Sequence, residues 1–414
     1  MTTTDTDRIA ERLAARRQLA EHGWISRRAE SFRHLPPPAA DAWLGDDVRG
    51  AHAIDLPAAR AGWMLAPVGS GSLEHVDACW LSAADPAERA ALFADLPTQP
   101  GDDAAPFFWA HRALCEAGLR LRIGSGPTRR APAMLQLRLQ PHASVEAPLV
   151  VIDVQPGAHC VLIESHGHDL AGRSRPVTQN LHAYVRLGAG ASLEHLRIAT
   201  PGTHDRIAHH VHVRLERDAQ YRQSLLGTGS DYHLQRTVLD LRGERALARA
   251  SGVLFASAHA KLEQQVRAAH AAAHTQSSID TLALASGDAQ VVANAFSSIA
   301  AGAAGADLRQ RLSGIPTSGE PRVVLRPHLE IHHDDVQAAH GATWGALPDD
   351  ALFYACQRGL DRRDALAMIV TGMAHAALAR GIDTPGMLET LGGDALLARE
   401  VARHLAEQPE SRHG

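Results

Sequence analysis

The first 120 or so residues carry apolar side chains at helical spacing, interrupted by a proline-rich linker. Apolar residues recur every three or four positions in three segments, which predicts a helix in each. The segments are Asp7 to Glu21, Pro86 to Leu96 and Ala104 to Ala117. Three consecutive prolines after Leu35 stop any helix there and favour an extended linker. We expect residues 1–120 to form an irregular, partly helical N-terminal region.

From Leu119 onward, apolar residues occupy every second position, which is the pattern of half-buried β-strands. Leu119, Leu121 and Ile123 alternate with arginines. Similar short runs, separated by Gly, Pro or Asp, continue for about 200 residues. They include Leu135 to Leu139, Leu149 to Val154, Cys160 to Glu164, Ala183 to Leu187, Leu193 to Ile198, His210 to Leu215 and Thr237 to Leu241.

The turns between these runs resemble one another. Gly157-Ala158, Gly190-Ala191 and Asp218-Ala219 each precede a strand-like run, and further turn residues follow at separations of roughly 25 to 33 residues or simple fractions of that. Because no helix-length period lies between them, the pattern favours a stacked β-solenoid. A large β-sandwich is the alternative that the pattern leaves open. The small-residue run Ile299 to Ala306 fits a tight corner of a solenoid.

After Asp349 the helical spacing returns, and it predicts two further helices. Asp361 is placed to cap the second of them. The last residues, Gln408 to Gly414, resemble a frayed tail. We therefore expect a mainly β protein with three parts: the N-terminal region, a β core over residues 121–345 and a C-terminal helical domain over residues 346–414.

Composition and charge exclude several function classes. The 414 residues are 45% hydrophobic and 21% charged, and the net charge of -5 argues against nucleic-acid or anionic-membrane partners. Lys261 is the single lysine and follows Ala260, so the chain has no Gly-Lys pair for a phosphate-binding loop and is not itself a P-loop ATPase. Neither a leader-like apolar segment nor an 18-residue apolar run occurs, which favours a cytoplasmic protein.

Cysteine spacing gives no self-contained metal or cluster motif. Cys79, Cys115, Cys160 and Cys356 lie far apart, and no Cys-x-x-Cys pair occurs. We expect buried, reduced thiols.

Residues Leu329 to Gly359 read LEIHHDDVQAAHGATWGALPDDALFYACQRG. This segment resembles the C-terminal signature of the SufB/SufD family of iron–sulfur cluster assembly proteins. In that family a strand ending in Leu-Glu-Ile is followed by an Asp-Asp-Val turn, a loop with His-Gly-Ala-Thr, and a helix with Leu-Phe-Tyr before Arg-Gly. Weaker similarity extends upstream through the β region. The His-Gly-Ala-Thr loop is similar to the SufD branch, since SufB usually reads His-Glu-Ala-Thr and carries more cysteines.

The resemblance implies a right-handed parallel β-helix between the two helical regions, and a scaffold subunit without catalytic activity of its own. SufD-type members pair with SufB through their β-helices, and the C-terminal helices dock the ATPase SufC, which hydrolyses ATP. On this basis the expected docking residues are Leu352, Phe353, Tyr354, Arg358, Gly359 and Met368.

The resemblance also implies one iron or cluster ligand, His340, at the SufB interface. Imidazole is a suitable iron ligand near neutral pH. By this resemblance, a transient cluster or iron would be shared with SufB, and no cofactor would be held by this chain alone. Whether a reduced flavin binds the complex is left open. Ala338 stands where many SufD sequences have a cysteine, so this loop offers no thiolate. The neutral alternative is a histidine that hydrogen-bonds its own turn.

Other polar clusters favour structural roles. Neighbours in His332-His333-Asp334-Asp335 would point to alternate faces of a strand end, so we expect a turn rather than a metal site or a catalytic carboxylate pair. We expect solvated strand edges for His166, His168, His209, His210 and His212. Two other functions stay open: a diverged homodimeric family member without cluster chemistry, and a polysaccharide-acting β-helix enzyme.

Overall fold

The computed structural model describes residues 3–45, 63–68, 73–80, 102–124, 132–141, 143–167, 176–382 and 393–406. The predicted helix Pro86 to Leu96, the tail Gln408 to Gly414 and His168 lie outside these ranges. Within them, no helix combines the length and the apolar character needed to cross a membrane.

Strands make up most of the described chain. In order they are β1 (Trp63–Pro67), β2 (Val76–Trp80), β3 (Gly118–Ile123), β4 (Ala133–Leu139), β5 (Val145–Glu146), β6 (Leu149–Val154), β7 (His159–Gly167), β8 (Thr178–Leu187), β9 (Ser192–Thr200), β10 (Arg206–Leu215), β11 (Gln220–Thr228), β12 (Tyr232–Leu241), β13 (Leu247–Ala256), β14 (Lys261–His270), β15 (Gln276–Gly287), β16 (Gln290–Ile299), β17 (Ala306–Gly319), β18 (Arg322–Ile331) and β19 (Val336–Trp344).

Helices lie toward the two ends of the chain. They are α1 (Thr3–His22), α2 (Ala40–Leu44), α3 (Ala105–Leu114), α4 (Asp349–Gln357), α5 (Arg362–Ala379) and α6 (Gly393–Ala406), with a short 3-10 turn at Glu30–Phe32. The predicted helices near Asp7 and Ala104 correspond to α1 and α3, and those after Asp349 correspond to α4 and α5.

The strands form a parallel β-solenoid of about 7 turns. In the described residues, sheet A runs β1-β4-β7-β9-β11-β13-β15-β17-β19, and sheet B runs β18-β16-β14-β12-β10-β8-β6-β3-β2. From β6 onward the chain alternates between the two sheets, so strands two apart in sequence are neighbours. At the N-terminal end of sheet A, β1 pairs antiparallel with β4, and at the same end of sheet B, β2 pairs antiparallel with β3. The other pairs of described strands are parallel. The expected mainly β, solenoid fold is confirmed, and a β-sandwich is excluded because its sheets would be antiparallel.

One corner of each turn repeats a left-handed backbone residue. These residues are Gly157, Gly190, Asp218, Arg245, His274 and Gly305, with φ between 57° and 69°. Each donates its backbone N–H to a carbonyl in the equivalent corner of the next turn, from Gly157 to Ala189 at 3.0 Å through Gly305 to Asp335 at 2.7 Å. The recurrence of small turn residues in the sequence therefore marks the solenoid period. The run Ile299 to Ala306 forms one of these tight corners, as expected.

The space between the sheets is a core that runs along the solenoid. Its N-terminal turns are filled by leucines and valines such as Leu121, Leu137, Leu162 and Val185, all almost fully buried. Later turns use smaller side chains, including Ala248, Ala250 and Ala293. Helices pack on part of the outward side of each sheet, so the molecule has four layers.

The two helical layers lie on opposite faces. Phe32, Trp43 and Phe107, from the N-terminal region, pack against Tyr232 and Leu234 on the outer face of sheet B. On the outer face of sheet A, residues of α5 and α6 such as Val370, Ala374 and Val401 pack against strand residues including Phe255 and Leu284. Helices thus pack on both faces of the solenoid, and no described helix packs on its C-terminal end.

Candidate functional site

The C-terminal end of the solenoid is formed by β18 and β19, the last strands of their sheets. β18 pairs only with β16, and β19 pairs only with β17, so each has one open hydrogen-bonding edge among the described residues. In β19 every residue after Val336 is exposed, whereas the inner strands are mostly buried. This end presents the interior of the solenoid to its surroundings.

His340 lies in the middle of β19 and is exposed. The sequence predicted a loop at this histidine, and that was wrong: residues 336–344 form a strand because each pairs in register with β17. His340 is paired with Gln310, which is buried and donates from its amide to Ser297 Oγ at 2.8 Å. Since paired residues on parallel neighbours face the same side of a sheet, His340 continues the inward-facing column and is exposed only because no further turn follows.

Ala338 lies two residues before His340 on the same face of β19, in register with the buried Leu308. Its methyl group provides no ligand, so His340 is the side chain on this face of the strand with a metal-binding atom. The thiols are elsewhere: Cys160 is inside the solenoid, where burial raises its pKa, and Cys356 is half-buried on α4. Thiolate ligands at this end would have to come from another chain.

His332 to Asp335 form the turn between β18 and β19, as the sequence indicated. His332 contacts the Glu330 carboxylate at 2.9 Å, and the backbone N–H of Asp335 donates to His333 Nδ1 at 3.1 Å. Asp335 also accepts the corner bond from Gly305. Across the described residues, no three His, Cys, Asp or Glu side chains are arranged to hold a metal ion.

The two helices that follow β19 pack against each other through one buried residue of the predicted docking set. Leu352 is buried with Ala355 and Ala365 between α4 and α5. Gly359 has φ of 93° and allows the tight turn that ends α4. Asp361 caps α5 by accepting a hydrogen bond from the backbone N–H of Asp364 at 2.8 Å, which confirms the predicted cap.

The other predicted docking residues are exposed. Phe353, Tyr354 and Met368 are 67%, 60% and 54% exposed, which is unusual for large apolar side chains. Arg358 donates to the Tyr354 hydroxyl at 2.7 Å and stacks its guanidinium on the Tyr354 ring. Phe353 and Met368 therefore contribute to the surface of the helical pair and not to its packing.

The expectation of solvated strand edges was wrong for His166, which belongs to a buried ionic network inside the solenoid. His166 and His195 contact the two oxygens of Glu164 at 2.5 and 3.1 Å, and Arg197 donates to the same carboxylate at 3.0 Å. Burial alone would raise the pKa of Glu164, but Arg197 and the two imidazoles hold it well below its ordinary value. Burial also lowers the pKa of His166 and His195.

His209 is likewise buried and joins this network to sheet B. Gln235 is the link, because its amide oxygen accepts from Arg197 at 2.9 Å and its amide nitrogen donates to His209 Nδ1 at 3.1 Å. His209 Nε2 in turn donates to Gln179 at 2.6 Å. These directional bonds connect four strands in two sheets, so they fix the register of successive turns.

The outer face of sheet B holds a second buried histidine group, beneath α3. The rings of His111 and His210 each lie 4.5 Å from the ring of His182, and neither nitrogen of His182 has a hydrogen-bond partner. His210 is buried and His212 half-buried, so the prediction of solvated edges was wrong for both. Burial lowers the pKa of His111 and of His212 to about 3.

Comparison with known proteins gives matches over the solenoid. A family model described as SUF system FeS cluster assembly, SufBD core domain, matches residues 138–373. The iron–sulfur cluster assembly protein SufD of Escherichia coli (strain K12) is 24% identical over 225 residues, which are 54% of this chain and 52% of that protein. SufBD family proteins of Mycobacterium tuberculosis (strain ATCC 25618 / H37Rv) and Mycobacterium leprae (strain TN) are 26% identical over 147 residues, covering 36% of this chain and 17% of theirs. The matched region thus spans little more than half of the SufD relative and much less of the others.

Proposed function

Since the chain belongs to the SufBD core family of the SUF iron–sulfur cluster assembly system, we propose that it is a SufD-type scaffold subunit. The family and its part in cluster assembly agree with the expectation from Leu329 to Gly359. In this proposal the chain pairs with a SufB-type protein and presents His340 to the cluster under construction. The open C-terminal end of the solenoid is the observation that carries the proposal.

The chemistry of that end supports a partner of the same construction. A row of unpaired backbone N–H and C=O groups favours pairing with another strand, and proteins rarely leave such an edge uncovered. Val323, Leu325, Leu329 and Ile331 of β18 are only partly covered, although their equivalents one turn earlier are mostly buried. A second solenoid stacked on this end would pair both edges and bury these side chains.

His340 would contribute one ligand at that seam. It is exposed, its column continues the interior of the solenoid, and Ala338 leaves it without a neighbouring thiol. Iron in a nascent cluster prefers thiolate and imidazole ligands, so the partner would supply the thiolates and this chain the imidazole. A reduced flavin on the assembled complex stays a prediction.

We propose further that α4 and α5 dock a SufC-type ATPase. The chain lacks a phosphate-loop lysine, so in this proposal nucleotide hydrolysis belongs to another subunit. Phe353, Tyr354 and Met368 supply exposed apolar area on these helices, and Leu352 holds the pair together from inside. Aromatic anchors of this kind dominate binding energy in many protein interfaces.

The first test is co-expression with SufB-type and SufC-type partners, followed by size measurement and assay of iron and sulfide. We expect a stable complex, and His340→Ala should leave its size unchanged while lowering the iron and sulfide it carries. His332→Ala is the matched control, because His332 is exposed at the same end and its imidazole bonds to Glu330. Separate elution of the partners, or equal iron with His340→Ala and the control, would contradict the proposal. A homodimer of this chain alone would favour the diverged-member alternative.

The second test separates ATPase docking from pairing at the solenoid end. Phe353→Asp introduces a charge into an apolar contact and should weaken retention of the SufC-type subunit by at least about ten-fold, with the SufB-type subunit still bound. Gln357→Asp is the control, since Gln357 is exposed on the same helix. Equal retention by both variants would place the ATPase elsewhere.

A polysaccharide-acting enzyme is not favoured by the placement of the strand carboxylates. Such an enzyme needs two carboxylates facing each other across a sugar. The outward carboxylates Asp240, Asp280 and Asp307 each lie beside an arginine, at 2.5, 3.4 and 3.4 Å. Asp280 and Asp307 line one open groove, but each is paired there with an arginine and neither is a free acid or base.

A further inference from the structure

A ridge of imidazole and carboxylate side chains runs along the second corner of the solenoid, where Ala258 and Gly287 are left-handed as well. His204, Asp231, His259 and Asp288 lie in the loops that precede β10, β12, β14 and β16, so each belongs to a successive turn. All four are exposed, with His204 at 73% and Asp231 at 46%. Parallel strands lie about 4.8 Å apart, which brings side chains of neighbouring turns within reach of one another.

The pairs along this ridge have the spacing of metal ligands. His204 Nδ1 lies 3.4 Å from Asp231 Oδ1, and His259 Nδ1 lies 3.4 Å from Asp288 Oδ2. Two ligand atoms that each lie about 2.1 Å from a metal are about 3.0 Å apart in an octahedral shell and about 3.4 Å apart in a tetrahedral one. Without a metal ion, 3.4 Å is the distance of a long hydrogen bond, weaker than that of the pair His332 and Glu330 at 2.9 Å.

The first pair borders a cleft between the corner and helix α6. The cleft has a volume of about 300 Å³, and its lining includes His204, Asp231, His259, Ser230 and Glu400. Ser230 is fully buried, and its hydroxyl has no hydrogen-bond partner among the residues that the structure describes. Glu400 is also buried, with its carboxylate beside Arg403. The cleft therefore combines exposed ligand atoms at its rim with a mixed lining, in which Ser230 and Glu400 are polar and Phe255 is apolar, and Arg403 is held by Glu400.

We propose that this cleft binds a divalent first-row metal ion through His204 and Asp231. Water completes the coordination shell, since no third side chain among the described residues already converges on the same point. Imidazole with carboxylate suits Fe²⁺, Zn²⁺ and Co²⁺, and a shell rich in water gives rapid exchange rather than permanent storage. The identification of this ion as ferrous iron for cluster assembly rests on the proposed function. The binding of a divalent metal ion at His204 and Asp231 does not.

The test uses the isolated, metal-free full chain carrying His340→Ala, which removes the ligand proposed at the solenoid end. Co²⁺ is the probe, and its binding is measured by calorimetry and by the visible absorption of the bound ion. Fe²⁺ is then added under anaerobic conditions to displace the Co²⁺. We expect one site whose affinity falls at least about ten-fold in His204→Gln/Asp231→Asn. The matched control is Glu330→Gln/His332→Gln, which alters another exposed imidazole–carboxylate pair and should leave the affinity unchanged.

Two outcomes would overturn the site: equal Co²⁺ affinity in the ridge variant and its parent, or an equal loss in the control. Failure of the chain to join a SufB-type partner would refute the proposed function and leave this binding intact. If the ridge variant loses Co²⁺ but its complex acquires iron at the rate of the parent, the site binds metal without delivering it, and the delivery role is wrong.

Discussion

Glu263 is a buried carboxyl group on the outer face of sheet B. Burial raises its pKa to about 8, although Gln265 donates to one of its oxygens at 2.8 Å, and the other oxygen has no partner. In the unfolded chain the same group ionises near pH 4.5. Between these two values the unfolded state has lost the proton and the folded state keeps it, so the contribution of Glu263 to stability falls as the pH rises from about 4.5 to about 8.

Glu263→Gln should therefore stabilise the protein, and more so at higher pH. Glutamine reproduces the neutral form, so we expect a gain of roughly 2–4 kcal/mol at pH 7.5 that shrinks toward zero at pH 5. Urea unfolding of variant and parent at both pH values measures the difference. Glu244→Gln, which alters an exposed carboxylate beside Arg245, serves as the control. A difference that does not change with pH would mean that Glu263 is ionised in the folded protein.

The sequence pattern predicted the local backbone role of individual residues better than their burial and their contacts. Asp361 was predicted as a cap because capping depends on local backbone, and the structure confirms it. His340 was singled out through its motif; it is exposed on the last strand of its sheet, and its place at a partner interface stays a prediction. His209 was missed because a histidine-rich stretch suggests solvent. Its spacing contained the signal: His209 shares a strand face with Val211 and Val213, which are buried in the core.

At the scale of elements, the turn glycines are of two kinds. Gly190 has φ of 66° and open space around the position of a Cβ atom. Asp218, Arg245 and His274 take the same conformation in later turns, so the corner tolerates a side chain at a modest cost. Gly243 differs, since a Cβ there would lie 1.9 Å from the backbone nitrogen of Arg217 in the preceding turn.

We expect Gly190→Ala to cost about 1 kcal/mol, which is the strain of a left-handed alanine. Gly243→Ala should cost at least about 3 kcal/mol, because backbone of the neighbouring turn must move away and separate the stack. Urea unfolding at one pH compares the two. Equal costs would show that contact between turns does not limit the side chain at residue 243.

The period of the solenoid could be predicted from these turns, but the route of the chain between sheets could not. A strand-like run with alternating apolar residues has the same pattern in a sandwich as in a solenoid. What distinguishes them is that β8 pairs with β10 and β9 with β11, a register that depends on stacking of distant turns. The sequence reports this only through the recurrence of Gly157, Gly190 and Asp218.

At the scale of the whole molecule, a buried ion pair among the described residues links the N-terminal layer to the solenoid. Arg236 projects from β12 and is almost fully buried, and its guanidinium donates to the Asp102 carboxylate just before α3. Burial alone would raise the pKa of Asp102, but Arg236 and the N–H of Ala104 lower it below its ordinary value. Around this pair the layer is held by apolar contacts such as Trp43 on Tyr232. Packing of this layer on the solenoid therefore depends on Asp102, because without it the buried charge of Arg236 would have no counter-ion.

Asp102→Asn should loosen this layer without disturbing the solenoid. Removing one member of a buried ion pair leaves an uncompensated charge and typically lowers stability by about 3–5 kcal/mol. Here we expect the loss to weaken the packing of α2 and α3 on the solenoid. Hydrogen exchange should show faster exchange in residues 24–45 and 102–114, with the inner strands of the solenoid unchanged. Replacing both partners by apolar residues, Asp102→Leu with Arg236→Met, should restore most of the protection, because the charge is then absent. If the single variant exchanges faster throughout the solenoid as well, the N-terminal layer and the solenoid unfold as one cooperative unit.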